Sequence, residues 1–326
     1  MLFVENPNTD PYKNHALEEW LMDCTAEDCF MLWRNQKAIL LGKHQNAYSE
    51  INLPYAKAHN IQIVRRITGG GTVFTDAGNI MFTFISCEGR GDFANFTKFT
   101  APILFALRQM GVPAEFSGRN DLLIGGKKFS GNAQCRYKGK VLHHGTLMYK
   151  ADTGELAKAL SVRPLKLQSK GVASVQSYVT NISDHMAEAL DIEEFRRRLF
   201  ESVLQNTPNA KLFTLSPAQW EEVAAKAQER HTTKEWIFGH NPSFNIQREQ
   251  KLPGGMIEAY FEVTRGHIAA ARIFGDFFSD GDIAEIEAAL IGTLYEADAL
   301  YAALRPFAIE RYFKNITIDQ LVSALA

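Results

Sequence analysis

The sequence predicts an α+β protein in which a large mixed-sheet domain is followed by a smaller α/β domain. Short apolar runs bounded by Gly, Asn and Asp are typical of strands, and those within residues 120–150 follow one another without intervening helices. This meander favours a mixed sheet over a doubly wound one. The pattern of strands and helices then restarts after residue 254. We therefore expect one domain over residues 1–243 and a second over residues 250–326.

The composition is that of a globular protein with no general attraction for polyanions. The 326 residues are 46% hydrophobic and 22% charged, and 35 Lys+Arg against 37 Asp+Glu leave a net charge of −2. Binding to nucleic acid or to an anionic membrane is therefore not expected. The first residues lack a signal-peptide pattern, and the four cysteines form no CxxC pair. We expect a cytoplasmic monomer with reduced thiols.

The first strands and the first amphipathic helix follow from periodicity. Four runs predict strands: Ala38–Asn46, Ile61–Arg66, Gly71–Thr75 and Asn79–Ser86. Apolar residues at spacings of three and four then predict a helix over residues 96–110, which Gly111 ends. Turn signals at residues 125–126 and 138–139 divide residues 120–150 into three further strands.

The rest of the chain is predicted to be mainly helical, apart from one hairpin. Helices are expected over residues 192–205 and 216–231, the second capped by Ser216 with Pro217 in its first turn. A linker is expected between Gly239 and Gly254. The C-terminal domain should contain a hairpin around residues 264–267, a helical stretch over residues 282–304 and a last helix over residues 318–325.

Three consecutive glycines in "VRRITGGGTVFTDAGN", residues 64–79, require an explanation. Glycine costs entropy in a strand, so the run indicates either a tight turn or a ligand lying against the backbone. The pattern is neither a Walker loop nor a Rossmann turn. Successive N–H groups can still bind an anion beside Arg65 and Arg66, and strand alternation predicts that one of these arginines faces the site.

Two further motifs carry candidate functional groups. In "GGKKFSGNAQ", residues 125–134, the two lysines alternate sides, and small residues after Lys128 leave room for a ligand. A solvated lysine is the ordinary alternative. In "HHGTLMYK", residues 143–150, adjacent histidines face opposite ways, so a zinc site is not expected. One histidine should line a pocket, or serve a structural role, while the other lies on the outer face. No G-x-S-x-G motif is present, which argues against a serine hydrolase.

Taken in this order, the three motifs resemble the lipoate-protein ligase A family. "LKLQSKGVASVQSYVTNI", residues 165–182, and "IEAYFEVTRGHIAAARIFGDF", residues 257–277, extend the resemblance over nearly the whole chain. The resemblance implies a fold of the biotin/lipoate-protein ligase type with a C-terminal accessory domain. It also implies that ATP and Mg²⁺ activate free lipoate, or octanoate, to an acyl-AMP. The acyl group then passes to a lysine of a 2-oxoacid dehydrogenase lipoyl domain or of glycine-cleavage H protein.

The resemblance also implies roles for individual residues. Lys128 would be the catalytic lysine that touches the lipoate carboxyl and the phosphate. The residues that would bind nucleotide are Arg65, Gly70, Gly71, Thr72, Val73, Asn120, Asp121 and Lys128. Those that would line the lipoate site are Arg65, Gly69, Gly70, Gly71, Lys128, Gly131, His144 and Gly145. Asp121 would be a metal ligand, and residues 166–179 would form a loop over the adenylate.

Some positions depart from the family pattern, and other functions remain open. Thr75 stands where many members have His, and Gln176 and Tyr178 replace arginines. The nearest alternative is an ATP-independent octanoyl or lipoyl transferase that uses a cysteine thioester, for which Cys135 is the candidate thiol. A biotin-protein ligase is disfavoured because no arginines lie within the glycine-rich loop. A non-catalytic sensor of lipoyl ligands is disfavoured because Lys128 is retained.

Overall fold

The computed structural model describes residues 1–87, 91–160, 178–238 and 244–326. The strands are β1 (Leu2–Glu5), β2 (Cys29–Trp33), β3 (Ala38–Leu41), β4 (Gln62–Arg65), β5 (Val73–Thr75), β6 (Asn79–Ser86), β7 (Ala114–Phe116), β8 (Asp121–Ile124), β9 (Lys127–Tyr137), β10 (Lys140–Met148), β11 (Lys211–Thr214), β12 (Ile246–Leu252), β13 (Gly255–Thr264) and β14 (His267–Gly275).

The α-helices are α1 (Pro11–Cys24), α2 (Ala47–Glu50), α3 (Leu53–Ala58), α4 (Phe96–Gln109), α5 (Thr153–Ala159), α6 (Ile192–Gln205), α7 (Pro217–Lys226), α8 (Lys234–Phe238), α9 (Ile283–Leu290), α10 (Ala297–Leu304), α11 (Ile309–Tyr312) and α12 (Ile318–Leu325). A 3₁₀ helix spans Ile182–His185, and a π-helical turn follows α7. Within the part of the chain that the structure describes, no helix is long and apolar enough to cross a bilayer.

An eight-stranded mixed sheet forms the larger part of the molecule. Its strand order is β11-β1-β2-β6-β10-β9-β8-β7, and β1 runs parallel to both β2 and β11. The central strands are buried on both faces, since α4 and α6 pack on one side while α1 and α7 pack on the other. Along β2, Phe30 and Leu32 enter the first core and Met31 and Trp33 the second. This two-sided burial explains why these strands are continuous apolar runs.

Two-residue turns fix the register of the hairpins. The turn between β8 and β9 is Gly125-Gly126, with φ values of +55° and +76°. The β9–β10 and β13–β14 turns, Lys138-Gly139 and Arg265-Gly266, also have two successive positive φ values. Two positive φ angles characterise the type I′ turn, which matches the twist of antiparallel strands. The turn residues visible in the sequence therefore place Lys128 near the start of β9.

A second, three-stranded sheet carries the glycine run. Its order is β4-β3-β5, with β3 parallel to β4 and antiparallel to β5. The run lies in the connection from β4, which ends at Arg65, to β5, which begins at Val73. The segment is therefore held at both ends by neighbouring strands.

A third sheet, β12-β13-β14, packs against α9 to α12 around its own apolar core. We call residues 244–326 the C-terminal unit. It contacts the rest of the molecule directly: the Gly275 N–H donates to the carbonyl of His44 at 2.6 Å, and the rings of His44 and Phe277 stack with centroids 5.0 Å apart. The side chain of Arg119 also donates to the carbonyl of Gly254 at 2.9 Å.

Most of the predicted elements are confirmed, with differences at both ends of the chain. The Ser216 side chain caps α7 as expected, in a reciprocal capping box with Gln219. Strand β12 begins within the segment predicted to be a linker, of which residues 239–243 lie outside the described part. The helical stretch over residues 282–304 is two helices, separated near Gly292, which has a φ of +85°. Elements β1, α1 and β2 are not predicted from the sequence.

Candidate active site

Lys128 lies at the start of β9 and forms an ion pair with Asp121. The Lys128 Nζ is 2.6 Å from Asp121 Oδ1, and the two side chains are 25% and 14% exposed. Asp121 is the first residue of the neighbouring strand β8. The adjacent Lys127 is exposed. The predicted alternation of the two lysines is therefore confirmed, with Lys128 partly enclosed beside a carboxylate.

An irregularity in the β8–β9 pairing and a glycine make room for this ammonium group. Leu122 pairs with Ser130 but Leu123 pairs with Lys128, so β9 contains one extra residue at this point. Such bulges redirect a side chain. Gly131 pairs with Asp121, and a Cβ atom added at Gly131 would lie 2.8 Å from the Lys128 Nζ. Glycine at position 131 thus provides the space in which the lysine head group lies.

Tyr178 contacts the ion pair of Lys128 and Asp121 through Asp121. Its hydroxyl donates to Asp121 Oδ2 at 2.9 Å, and the backbone of residues 179–180 runs beside β9, where the Thr180 N–H donates to the Lys128 carbonyl at 2.9 Å. Burial and the Asp121 charge raise the pKa of Tyr178, so the hydroxyl remains a donor. Most of the predicted loop, residues 166–177 including Gln176, lies outside the described residues.

Arg66 forms hydrogen bonds with the glycine run, and the C-terminal unit lies against it. The Arg66 Nη2 donates to the carbonyls of Gly69 and Gly71 at 2.9 and 2.7 Å. A Cβ at Gly69 would lie 2.5 Å from the carbonyl oxygen of Phe277, whereas one at Gly71 would meet none of the described residues within 4 Å. Gly70 has a φ of +91°. Gly69 and Gly70 are therefore required by close approach or by backbone conformation, whereas none of the described residues would obstruct a side chain at Gly71.

The glycine run approaches strand β9, which carries Lys128. A Cβ at Gly70 would lie 3.8 Å from the Cβ of Ala133, which is on the same strand as Lys128. Phe278 packs in a small cluster with Ala133 and Phe96 next to this point. At the far end of the run, the Thr72 hydroxyl donates to Gln45 Oε1 at 2.7 Å, and β5 then begins at Val73. The structure thus brings Gly70 next to Ala133, on the strand that carries Lys128.

Arg65 is also buried, and its guanidinium is hydrogen-bonded to the main chain. It donates to five carbonyls at 2.6–3.0 Å: those of Gly42, Lys43, Gln45, Trp236 and Ile237. Arg65 and Arg66 are both buried, at 6% and 4% exposed. That one of the two faces the site stays a prediction. Burial lowers the pKa of each to about 10, so both remain charged at neutral pH.

Asn120 and Gly145 have packing partners within the protein. Asn120 and Asn132 exchange amide hydrogen bonds with each other's carbonyls, both at 2.9 Å. A Cβ at Gly145 would lie 2.2 Å from Asn132 Oδ1 and 2.5 Å from the Phe82 ring. Gly145 is therefore required by the packing of β10 against its neighbours. Thr75 is fully buried on β5, and its hydroxyl lies 3.4 Å from the carbonyl of Ala38.

The two adjacent histidines face opposite ways, but neither is on an outer face. His143 is fully buried among the rings of Phe82, Phe96 and Phe99. His144 is 4% exposed, and its ring nitrogens are hydrogen-bonded to Glu18 and Thr68. The expectation of one outer histidine is wrong because helices cover both faces of the sheet.

His15, Glu18 and His144 form the one group of three potential ligands found among the described residues, with donor atoms within 4.8 Å of one another. Each ring Nδ1 is 2.8 Å from a different oxygen of Glu18. A hydrogen-bonded network accounts for this geometry without an ion. His15 and Glu18 were not identified from the sequence, although the two acids in the apolar stretch "NHALEEWLM" are a usable signal.

Comparison with known proteins decides the family. A model of the lipoyl protein ligase A/B catalytic domain matches residues 10–204, and a model of the bacterial lipoate protein ligase C-terminus matches residues 241–325. Lipoate-protein ligase 1 of Staphylococcus aureus is 40% identical over all of both chains. The chain belongs to the lipoate-protein ligase family. Another relative, the Bacillus subtilis lipoate-protein ligase LplJ, is 39% identical, again over all of both chains.

Solved structures of the lipoate-protein ligase family share this fold. LipL1 of P. falciparum in complex with lipoate has a TM-score of 0.80 and 23% identity, with 99% of this chain and 98% of that chain covered. A bipartite ligase from Thermoplasma acidophilum, solved in a study with its E2 lipoyl domain, has a TM-score of 0.64 and 24% identity over 75% of this chain and 98% of that chain. Lipoate-protein ligase A bound with ATP has a TM-score of 0.62 and 23% identity over 73% and 98%. The predicted α+β class is confirmed, with the fold of the lipoate-protein ligases.

Proposed function

We propose that the chain is an ATP-dependent lipoate-protein ligase that works in two steps. Free lipoate and ATP give lipoyl-AMP and pyrophosphate, and the lipoyl group then passes to a lysine of an apo lipoyl domain. The observation that carries the proposal is the partly exposed Lys128 ammonium, positioned by Asp121 and Gly131, in a chain that is 40% identical to a named ligase along its whole length.

In the first step, a lipoate carboxylate oxygen attacks the α-phosphorus of ATP, and the bond to the pyrophosphate oxygen breaks. Two anions must approach each other, and negative charge builds on the phosphoryl oxygens. The Lys128 ammonium and the N–H groups of residues 70–73 are the donors proposed to stabilise that charge. Because Arg65 and His144 already form hydrogen bonds with protein groups, we propose that they support the protein segments that line the site.

Asp121 is the proposed ligand for Mg²⁺. Carboxylate oxygens suit this ion, which commonly takes one or two protein carboxylates together with substrate phosphates. Asp121 is partly exposed and adjoins the lysine proposed to meet the phosphates, so its position and chemistry fit. When bound, the ion would neutralise charge on the phosphates. The Asp121 carboxylate also holds Lys128 before substrate binds.

In the second step, the ε-amine of the acceptor lysine attacks the carbonyl carbon of lipoyl-AMP, and AMP leaves. The mixed anhydride already activates the acyl group, so this step needs no nucleophilic side chain from the protein. Acceptors are proposed to be lipoyl domains of 2-oxoacid dehydrogenase E2 subunits or glycine-cleavage H protein, and octanoate is proposed as a second acyl substrate.

We place residues 1–243 in the catalytic domain and residues 250–326 in an accessory domain. Four unpaired thiols suit a cytoplasmic protein.

The transferase alternative requires a reactive thiol, and Cys135 lacks that character. Cys135 is 8% exposed, and burial raises its pKa to about 12. Thiolates are the reactive form, and accessible low-pKa sites are where they occur. We expect Cys135→Ala to retain the wild-type rate of lipoyl transfer and its dependence on ATP. A loss of transfer in this variant, together with ATP-independent turnover by the wild type, would support the transferase instead.

Tyr178 is expected to contribute through Asp121. Tyr178→Phe removes a hydrogen bond to a carboxylate, a contact of the kind worth about 1.5–3 kcal/mol. The rate of pyrophosphate release with lipoate and ATP should fall about tenfold, since Asp121 becomes freer to hold Lys128 away from substrate. Tyr301→Phe, on α10 of the C-terminal unit, is the matched control. Equal rates of pyrophosphate release for both variants would show that the Tyr178 hydroxyl does not contribute to the reaction.

A direct test of the proposed function is incubation with lipoate, ATP and Mg²⁺, followed by mass spectrometry for lipoyl-AMP. The adduct is expected with ATP and should be absent when ATP is omitted. Addition of an apo lipoyl domain should then convert the adduct into a modified lysine and AMP. Failure to detect lipoyl-AMP or pyrophosphate would contradict the proposal.

A further inference from the structure

A chain of four buried side chains connects helix α1 to the glycine run. Glu18 Oε1 is 2.8 Å from His144 Nδ1, and His144 Nε2 is 2.7 Å from the Thr68 hydroxyl. The Arg66 Nε in turn donates to that hydroxyl at 3.0 Å. The four residues are at most 4% exposed, and the contacts span α1, β10 and the loop after β4. Solvent therefore does not compete for these hydrogen bonds.

The donor and acceptor roles along this chain are mutually consistent. Burial raises the pKa of Glu18, but its contacts with His144 and His15 lower the pKa by more, so the carboxylate is ionised and accepts. His144 then donates from Nδ1 to that carboxylate, and its Nε2 shares a hydrogen bond with the Thr68 hydroxyl. The Thr68 hydroxyl also accepts from Arg66 Nε. Each group of the chain therefore has a hydrogen-bond partner on each side.

The far end of the chain fixes two peptide planes of the glycine run. With its Nε held by Thr68, the Arg66 guanidinium donates through Nη2 to the carbonyls of Gly69 and Gly71. A trans peptide is planar, with its N–H opposite its C=O. Holding these two carbonyls therefore directs the N–H groups of residues 70 and 72 away from Arg66.

We propose that Glu18 and His144, acting through Thr68 and Arg66, are positioning residues that hold the glycine run in the conformation needed for adenylate formation. They do not contact substrate. This inference rests on the proposed function, because it assigns the oriented N–H groups to the α-phosphate of the acyl-adenylate. A donor set that is already oriented needs no reorganisation during reaction, which is the advantage of an enclosed site over water.

Thr68 is the position at which this series of hydrogen bonds can be interrupted with the least change in side-chain shape. Thr68→Val removes the hydroxyl and keeps the branched side chain, whereas Thr68→Ser keeps the hydroxyl. We expect Thr68→Val to lower kcat for lipoate-dependent pyrophosphate release by about 10- to 100-fold, with a smaller change in KM. Thr68→Ser should recover most of the loss. Amide hydrogen exchange at residues 69–72 should be faster in Thr68→Val than in Thr68→Ser.

The two measurements separate the inference from the proposed function. Absence of pyrophosphate release by the wild-type protein would contradict the ligase, while the exchange comparison would still test whether the chain holds the run. An unchanged kcat and unchanged exchange in Thr68→Val would overturn the inference. So would equal losses in both variants, because these would point to packing of the Thr68 methyl group. Should Thr68→Val fail to fold, Thr68→Ala removes the same oxygen without placing an apolar group against His144.

Discussion

Replacing Lys128 with alanine is expected to abolish adenylate formation while leaving the protein folded. One charge about 4 Å from the reacting phosphate, at an effective dielectric constant of about 20, is worth roughly 4 kcal/mol. Expressed in the transition state, this is about a thousandfold in kcat. Lys128 is partly exposed, and its removal leaves Asp121 with the Tyr178 hydroxyl as a partner, so folding should not depend on it.

The matched control is the neighbouring residue. Lys127→Ala removes an equal charge one position away, but this side chain is exposed and lies outside the Asp121 group. Pyrophosphate release with lipoate and ATP should fall only in Lys128→Ala, and both variants should keep the wild-type circular dichroism spectrum. Normal turnover by Lys128→Ala would disprove the role of this lysine.

The folded state should lose stability steeply as the pH falls from about 6.5 toward 4. Burial lowers the pKa of His15 to about 4, and burial also lowers the pKa of His44 and His143 well below the ordinary value. An unfolded histidine takes up a proton near pH 6.5, so the unfolded state binds more protons in this range. Stability present above pH 6.5 is therefore lost on acidification, at about 1.4 kcal/mol per pH unit for each histidine.

Urea unfolding at pH 7.5, 6.0 and 5.0 tests this expectation. The free energy of unfolding should decrease with each step, and His15→Gln should reduce the decrease by the share of one histidine. His267→Gln is the control, because His267 is exposed at the β13–β14 turn. A flat profile over this range would show that the buried histidines do not set the acid stability.

Local signals in the sequence account for the structural features around Lys128 that were predicted. Turn residues at Gly125-Gly126 determine where β9 begins, and strand alternation then separates Lys128 from Lys127. These features depend on residues within a short stretch of chain, which is why a single sequence suffices to predict them.

Other parts of the site depend on contacts between distant segments and could not be read from local patterns. The five carbonyls around Arg65 come from the loop after β3 and from helix α8, more than 170 residues apart in sequence, so the burial of Arg65 cannot be predicted from "VRR". His143 and His144 alternate as a strand requires, but their burial depends on α4 and α1, which cover opposite faces of the sheet. The bulge at Lys128 likewise has no sequence signal that we recognised.

The close approach of Gly69 to Phe277 limits how such proteins can be recombined. A side chain at position 69 would collide with a backbone oxygen of the C-terminal unit, 2.5 Å from the added Cβ. In this arrangement the two segments are complementary surfaces, although about 200 residues separate them in the chain. In a chimera of two relatives joined near residue 243, residues 277–278 should therefore also be replaced by those of the parent that supplies residues 69–70. Laboratory evolution of the glycine run should likewise select compensating changes after β14.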